Sequence, residues 1–245
     1  MSERVYRVAA PKGRSSSPPF LTELNEAQRS AATAPDGPTL VIAGAGSGKT
    51  RTLAYRVAWL LSRGVPPEQV LLLTFTNRAA REMVDRVEEL LGAAARRVCG
   101  GTFHSVGLRL LRRHASTLGY QDGFTVIDPE DASGVMRASL SDVGLVGTDR
   151  RYPRAKAVAR ALSRSINTGE PFAELFARRH PQFSDLLDRV SAATARFVER
   201  KVELNVLDFD DLLLGWRLLL EDEDTAERIR GLFRHVLVDE YQDTN

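Results

Sequence analysis

The stretch Ala43-Gly44-Ala45-Gly46-Ser47-Gly48-Lys49-Thr50 constrains this chain more than any other. It follows an apolar run at 39–43 (TLVIA), read as a strand, and opens a helix predicted from about Lys49 to Ser62. On that helix Leu53, Val57, Leu60 and Leu61 recur on one face. Small residues at 43–48 let the backbone curl so that successive N–H groups point at phosphate oxygens, with the positive end of the helix behind them. In such a loop Ala45, Gly46, Ser47 and Gly48 line the phosphates. Lys49 reaches the β- and γ-phosphates and the Thr50 hydroxyl ligates Mg²⁺. Ala43 stands where the motif usually has its first glycine, a sterically mild change. The competing reading is a glycine-rich turn with a chance Lys-Thr.

The rest of the chain supplies a scaffold for such a loop. A second buried strand is predicted at 70–74 (VLLLT), followed by a helix carrying Ala79, Met83, Val87 and Leu90. A third strand fits 97–102 and a fourth 236–239. Apolar strands alternating with amphipathic helices argue for a parallel sheet covered on both faces. The middle, 104–206, is helical in pattern, with Leu187, Val190, Phe197 and Leu204 as examples, and is broken by Pro129, Gly144, Pro153, Gly169 and Pro181. It is read as a helical subdomain inserted between strands of one α/β domain. The division expected is a flexible tail at 1–19, an ATP-binding domain at 20–103 plus 207–245, and the insert at 104–206.

Val236-Leu237-Val238-Asp239-Glu240 is the second chemical signal. It puts carboxylates at the C-terminal edge of the sheet, where open α/β sheets bind ligands. Asp239 suits Mg²⁺, and Glu240 is placed to orient and deprotonate an attacking water. Strand-Asp-Glu alone is weak, but together with the phosphate loop it favours an ATP hydrolase over a kinase. The single cysteine, Cys99, excludes a disulfide framework and reads as a small buried residue. Lys plus Arg is 34 and Asp plus Glu 32, a balance that leaves room for a local basic groove without announcing one. No apolar run approaches a membrane span and no secretory signal is evident, so no membrane partner and a cytoplasmic home are expected.

Five segments in order resemble superfamily-one helicases of the UvrD, PcrA and Rep type. Residues 239–245 (DEYQDTN) look like motif II, and 24–28 (LNEAQ) resemble the Q motif. Residues 74–80 (TFTNRAA) resemble motif Ia and 101–105 (GTFHS) motif Ib, while 208–213 (DFDDLL) resemble the acidic segment after the inserted subdomain. The resemblance covers about 24–245. It implies a RecA-like P-loop NTPase sheet, incomplete here, with an all-helical insert. It further implies that Gln28 recognises adenine, that Arg51 lies against the nucleotide, and that Gln242 senses the γ-phosphate. Phe75 resembles the aromatic on which a base stacks, with Thr76, Asn77, Thr102, Phe103 and His104 around it; the rival reading for Phe75, and an equal one for Phe103, is a core aromatic at a strand end. ATP with Mg²⁺ is the implied cofactor. Single-stranded DNA and single/double-strand junctions are the implied partners, with DNA-repair proteins unspecified. Motion is expected 3′-to-5′. A missing C-terminal half, with a second RecA-like domain, implies that the chain alone hydrolyses ATP slowly or not at all.

Other classes remain open at this point: a non-catalytic nucleotide- or DNA-binding module, a component of a helicase–nuclease, or a phosphotransferase on the same loop. Arg150, Arg151, Arg154, Lys156, Arg160 and Arg164 form a basic stretch that is either a phosphate contact or a solvated helix face.

Overall fold

The computed structural model describes residues 18–244 except 146 and 148–151. The tail expected at 1–19 therefore lies almost wholly outside the described residues, as do Arg150 and Arg151 of the basic stretch. The chain divides into two compact units, the first built from the residues up to Pro67 with Met83–Arg97, the second from Glu68–Glu82 and from Val98 onward.

In the first unit, a short 3-10 turn at Pro19–Glu23 leads into α1 (Glu26–Ala32), and α2 spans Lys49–Ser62. Asn25 caps α1 by accepting from the Gln28 N–H, while the Gln28 side chain accepts from the Asn25 N–H; this reciprocal pair satisfies two otherwise orphaned donors. The α2 boundaries match those read from periodicity, and Tyr55, Val57, Ala58 and Leu60 are buried along it. The run at 39–43 is not a strand. Leu40 and Ile42 are 69% and 88% exposed, and the segment has no ladder partner among the described residues. Apolar composition favours a strand, but only exchange of ladder hydrogen bonds with a neighbour makes one. The helix α3 (Asn77–Leu91) contributes to both units, burying Met83 and Val87 in this one.

The second unit holds the predicted sheet. Strands β1 (Val70–Thr74), β2 (Cys99–Thr102) and β5 (His235–Val238) run parallel in the order β2-β1-β5. All five residues of β1 are buried, as a central parallel strand requires. The register pairs Thr74 with Thr102 and Leu73 with Val238, so the three strands end together. Cys99 opens β2 half-buried, its Sγ 3.2 Å from the Arg109 guanidinium.

After β2 comes α4 (Phe103–His114), which packs on α9 (Phe209–Glu221). The two approach so closely that a Cβ on Gly107 would fall 2.8 Å from the Leu212 carbonyl oxygen. Leu71, Leu73, Val106, Leu110, Leu212, Leu219 and Ile229 of α10 (Glu223–Leu232) form a shared core. Within the stretch expected to be an insert, α5 (Pro129–Asp142), α6 (Ala155–Thr168), α7 (Phe172–Arg179) and α8 (Leu187–Glu203) surround Met136, Val158, Phe176, Val190 and Phe197. Leu204 departs from its expected helical core place. It lies just past α8 and is exposed, because the chain turns there through Asn205 at φ +52°. The periodicity also misses two strands of two residues, β3 (Thr125–Val126) and β4 (Val206–Leu207), which pair in parallel at the root of the bundle. Lys156, Arg160 and Arg164 recur at four-residue spacing along α6.

Lys201, near the end of α8, is 2% exposed. Its ammonium donates to Asp208 at 2.8 Å and to both oxygens of Asp211 at 2.6 and 2.7 Å, and sits 4.5 Å from the centre of the Phe197 ring. Asp208 and Asp211 are also the two halves of the α9 capping box. One buried cation thus serves two carboxylates. Burial raises the Asp211 carboxyl to about 6, Lys201 opposing the rise and Asp208 adding to it. The same burial, with the negative charge of Asp211 and Asp208, pushes the Tyr120 hydroxyl up. A carboxyl whose folded value exceeds its unfolded value of about 3.9 binds its proton more tightly when folded, so its contribution to stability falls as pH rises through the interval. The stability penalty of Asp211→Asn, measured by urea unfolding, is therefore expected to shrink between pH 4.5 and 7. A penalty that grows with pH would show the opposite sign of shift.

Candidate nucleotide and nucleic-acid site

In the first unit the glycine-rich loop has the backbone its sequence requires. Gly46 and Gly48 stand at φ +75° and +84°, a region costly for residues with a Cβ. The Ser47 N–H and hydroxyl both donate to the Gly44 carbonyl, at 3.3 and 2.7 Å, closing the turn. Lys49 begins α2, and its ammonium bends back to donate to the carbonyls of Ala43 at 3.2 Å and Gly44 at 3.3 Å. The cation is thereby held across the loop, where a phosphate would offer it stronger, charged acceptors. Thr50 follows in the first turn of α2.

Gln28 belongs to this loop as well as to α1. Its Nε2 donates to the Ser47 carbonyl at 3.0 Å, and a Cβ on Gly48 would fall 2.9 Å from that nitrogen. The glycine at 48 thus serves both the turn and the close approach of the amide. Arg51 donates to the Glu23 carboxylate at 3.1 Å, to the Glu23 carbonyl and to the Tyr55 hydroxyl, and its guanidinium lies 5.2 Å from the centre of the Tyr55 ring. Tyr55 in turn hydrogen-bonds Glu23. Gln28, Ser47, Gly48, Lys49, Thr50 and Arg51 therefore form one constellation, to which the structure adds Glu23 and Tyr55. Sequence reasoning assigned neither of these a role, and an exposed glutamate beside a helix cap carries no signal of its own.

In the second unit the remaining sequence-derived residues collect at the C-terminal edge of the sheet. Phe75, Thr76 and Asn77 follow β1; Thr102 ends β2, with Phe103 and His104 after it; Asp239 and Glu240 follow β5. Asp239 is buried and extends the ladder, its N–H donating to the Leu73 carbonyl at 2.9 Å. Glu240 stands at φ +50°, ψ +50°, a left-handed conformation unusual for glutamate and a mark of a tightly determined turn. The Gln242 amide donates to its carboxylate at 2.6 Å. Thr76 and Thr102 cap the helices that follow them, accepting from the N–H groups of Ala79 and Ser105.

The aromatics at this edge differ. Phe75 is 55% exposed. Phe103 is half-buried, packed on the sheet core with its ring 6.3 Å from that of Trp216. His104 is exposed and meets Phe209 edge-on at 5.9 Å. Phe209, at the first position of α9, is itself 54% exposed. The sequence reading passed over it. Its signal was a phenylalanine directly after a capping aspartate, at a helix position that does not face the core.

Among the described residues no group of three or more His, Cys, Asp or Glu side chains could hold a metal ion. The donors drawn from the sequence, Thr50 in the first unit and Asp239 in the second, are a hydroxyl and a carboxylate, oxygen donors of the kind a hard cation takes. Among the described residues, no helix is long and apolar enough to cross a membrane.

A glycine-rich loop opening a helix with Lys-Thr, together with a parallel strand that ends in Asp-Glu, defines a P-loop nucleotide-binding protein of the α/β class. The family model of the UvrD/REP helicase N-terminal domain matches residues 24–245, and this chain belongs to that family. It is 38% identical over 230 residues to the ATP-dependent DNA helicase PcrA of Staphylococcus epidermidis. It is 37% identical over 228 residues to the ATP-dependent DNA helicase PcrA of Staphylococcus aureus. Each match covers 92% of this chain and 30% of the relative, so the chain spans under a third of the length of these curated relatives.

Proposed function

We propose that this chain is the ATP-binding region of an ATP-dependent DNA helicase that moves 3′-to-5′ along single-stranded DNA. The observation that carries the reading is the sheet edge. Exposed Phe75 and the His104–Phe209 pair share that edge with the Asp239–Glu240 turn, so groups suited to bases and groups suited to ATP hydrolysis end the same three strands.

Gln28 and Arg51 take the adenine side of the nucleotide, and the backbone of residues 45–48 with Lys49 takes its phosphates. Thr50 and Asp239 would hold Mg²⁺, which would neutralise phosphate charge. Glu240 holds a water for attack and accepts its proton. Gln242, hydrogen-bonded to Glu240, is placed to report the state of that carboxylate. Phe75 stacks on a base, with Thr76, Asn77, Thr102 and His104 beside it, and Phe103 supports them from the core side. Polarity rests on family resemblance, as does the dependence of turnover on the further domain that the relatives' length leaves room for. The isolated chain is expected to bind nucleotide and to hydrolyse it slowly or not at all.

The test is anisotropy of a labelled oligothymidylate. Base–aromatic stacking contributes about 1–3 kcal/mol, so Phe75→Ala should weaken binding about 5- to 150-fold. Phe103→Leu should act through stability instead. Unchanged affinity in Phe75→Ala, with the fold intact, would remove the strand from this edge.

A further inference from the structure

Asp208 and Asp211 belong to the acidic segment at 208–213, to which the proposed reaction gives no role, and with Lys201 they form the most deeply buried charged cluster among the described residues. Their placement joins three features. Lys201 lies near the end of the last helix of the insert, Asp208 and Asp211 form the capping box of α9, and Phe209 sits between them in sequence with its ring exposed and against His104. All three ammonium donors are used, on Asp208 Oδ2 and on Asp211 Oδ1 and Oδ2. The other Asp208 oxygen accepts from the Asp211 N–H, and Asp211 Oδ2 also accepts from the Asp208 N–H. The first turn of α9 therefore cannot rotate or fray without breaking a buried ion contact. Apolar contact alone would permit such slippage, since it fixes no direction. Behind that turn, α9 is seated on α4 through the close passage of Gly107 and Leu212, and α4 begins with Phe103 and His104.

We infer that Lys201, Asp208 and Asp211 are positioning residues that fix the exposed His104–Phe209 pair in register for single-stranded nucleic acid, tying the insert to the strand-facing edge of the sheet. The inference rests on the proposed strand-binding role of that edge. The residues touch no substrate. They act by holding the capping turn from which Phe209 projects.

A triad-neutral chain, Lys201→Met/Asp208→Asn/Asp211→Asn, tests this without stranding a buried charge. Asparagine keeps the capping oxygens, and replacing a whole buried ion cluster with uncharged groups is commonly close to neutral for stability. Two readouts separate the claims. The first needs no ligand. With only four histidines in the chain, the His104 imidazole protons are assignable by NMR, and Phe209→Ala should shift them through loss of the adjacent ring. In the triad-neutral background that Phe209-dependent shift should fall to less than half. A full shift in a chain that melts cooperatively would overturn the inference. The second readout is affinity for oligothymidylate, expected to fall about tenfold in the triad-neutral chain while affinity for a fluorescent ATP analogue changes less than twofold. An equal loss of both would mean general loosening and would also overturn it. If the wild-type chain binds no single strand, the strand-binding reading fails, and the His104 signature still decides whether the triad positions the pair. Should the triple variant not fold, Asp211→Asn alone removes one buried charge, keeps the cap, and is read by the same two measurements.

Discussion

Lys201→Ala is expected to cost about 3–5 kcal/mol of stability, because it removes a buried cation and leaves two carboxylates, only 16% and 13% exposed, without their partner. For a chain of this size that corresponds to a fall in Tm of roughly 6–20 °C. Exposed pairs such as Arg78–Glu82 set the contrast; solvent screens them, and their loss is worth about 0–1 kcal/mol. The deficit should be pH-dependent, since Asp211, already raised by burial, loses the partner that opposes the rise and takes up a proton more readily. Acidification from pH 7.5 to 5.5 should therefore recover some of the lost Tm relative to wild type. Scanning calorimetry at the two pH values checks both statements. A loss below about 1 kcal/mol would mean that water reaches the cluster and that the burial described is not maintained.

Lys49→Ala should abolish measurable retention of ATP, with affinity lowered at least about tenfold. The ammonium is already aligned across the loop by the Ala43 and Gly44 carbonyls, so binding exchanges two neutral acceptors for charged phosphate oxygens at little cost in side-chain order. Hydrogen bonds to charged groups contribute about 1.5–3 kcal/mol each, which sets the scale of the loss. Isothermal titration with ATP and Mg²⁺ measures it directly. Hydrolysis assayed beside it, with and without oligothymidylate, tests the dependence on a further domain. Brisk DNA-stimulated turnover by this chain alone, abolished by Lys49→Ala, would refute that dependence while supporting the loop's role. Equal ATP affinity in the two proteins would refute the phosphate-loop assignment itself.

Legibility in the sequence followed how local the determining physics is. The boundaries of α2 and β1 could be read because a 3.6-residue period and an unbroken apolar run are properties of the segments themselves. The segment at 39–43 has equally strong composition, yet strand formation depends on a neighbour that no local pattern supplies. The pair β3–β4 is two residues per strand and joins positions some eighty residues apart, so no window could contain it. At the candidate site, the helix opening at Lys49 and the strand leading to Asp239–Glu240 were legible because each is a local pattern of its own segment. Lys201 was not. A lysine among Glu199, Arg200 and Glu203 reads as a solvated helix face, and only the return of the chain at Asn205 brings Asp208 and Asp211 over it. Phe209 was hidden for a related reason, since its segment attracts notice for its acids rather than for the ring between them.

The parallel pairing of β3 with β4 bears on how such a chain can change over generations. The two tethers of the α5–α8 bundle run side by side, separated by a single ladder spacing of ~4.8 Å, so a guest of almost any length fits between them without stretching its host. Its size and surface are free to drift. Its last helix is not, because that helix delivers the cation on which the host's α9 depends. Variation in this bundle should therefore be tolerated across α5, α6 and α7 and stop abruptly at the final two turns of α8, where guest and host are bound by the same buried charge.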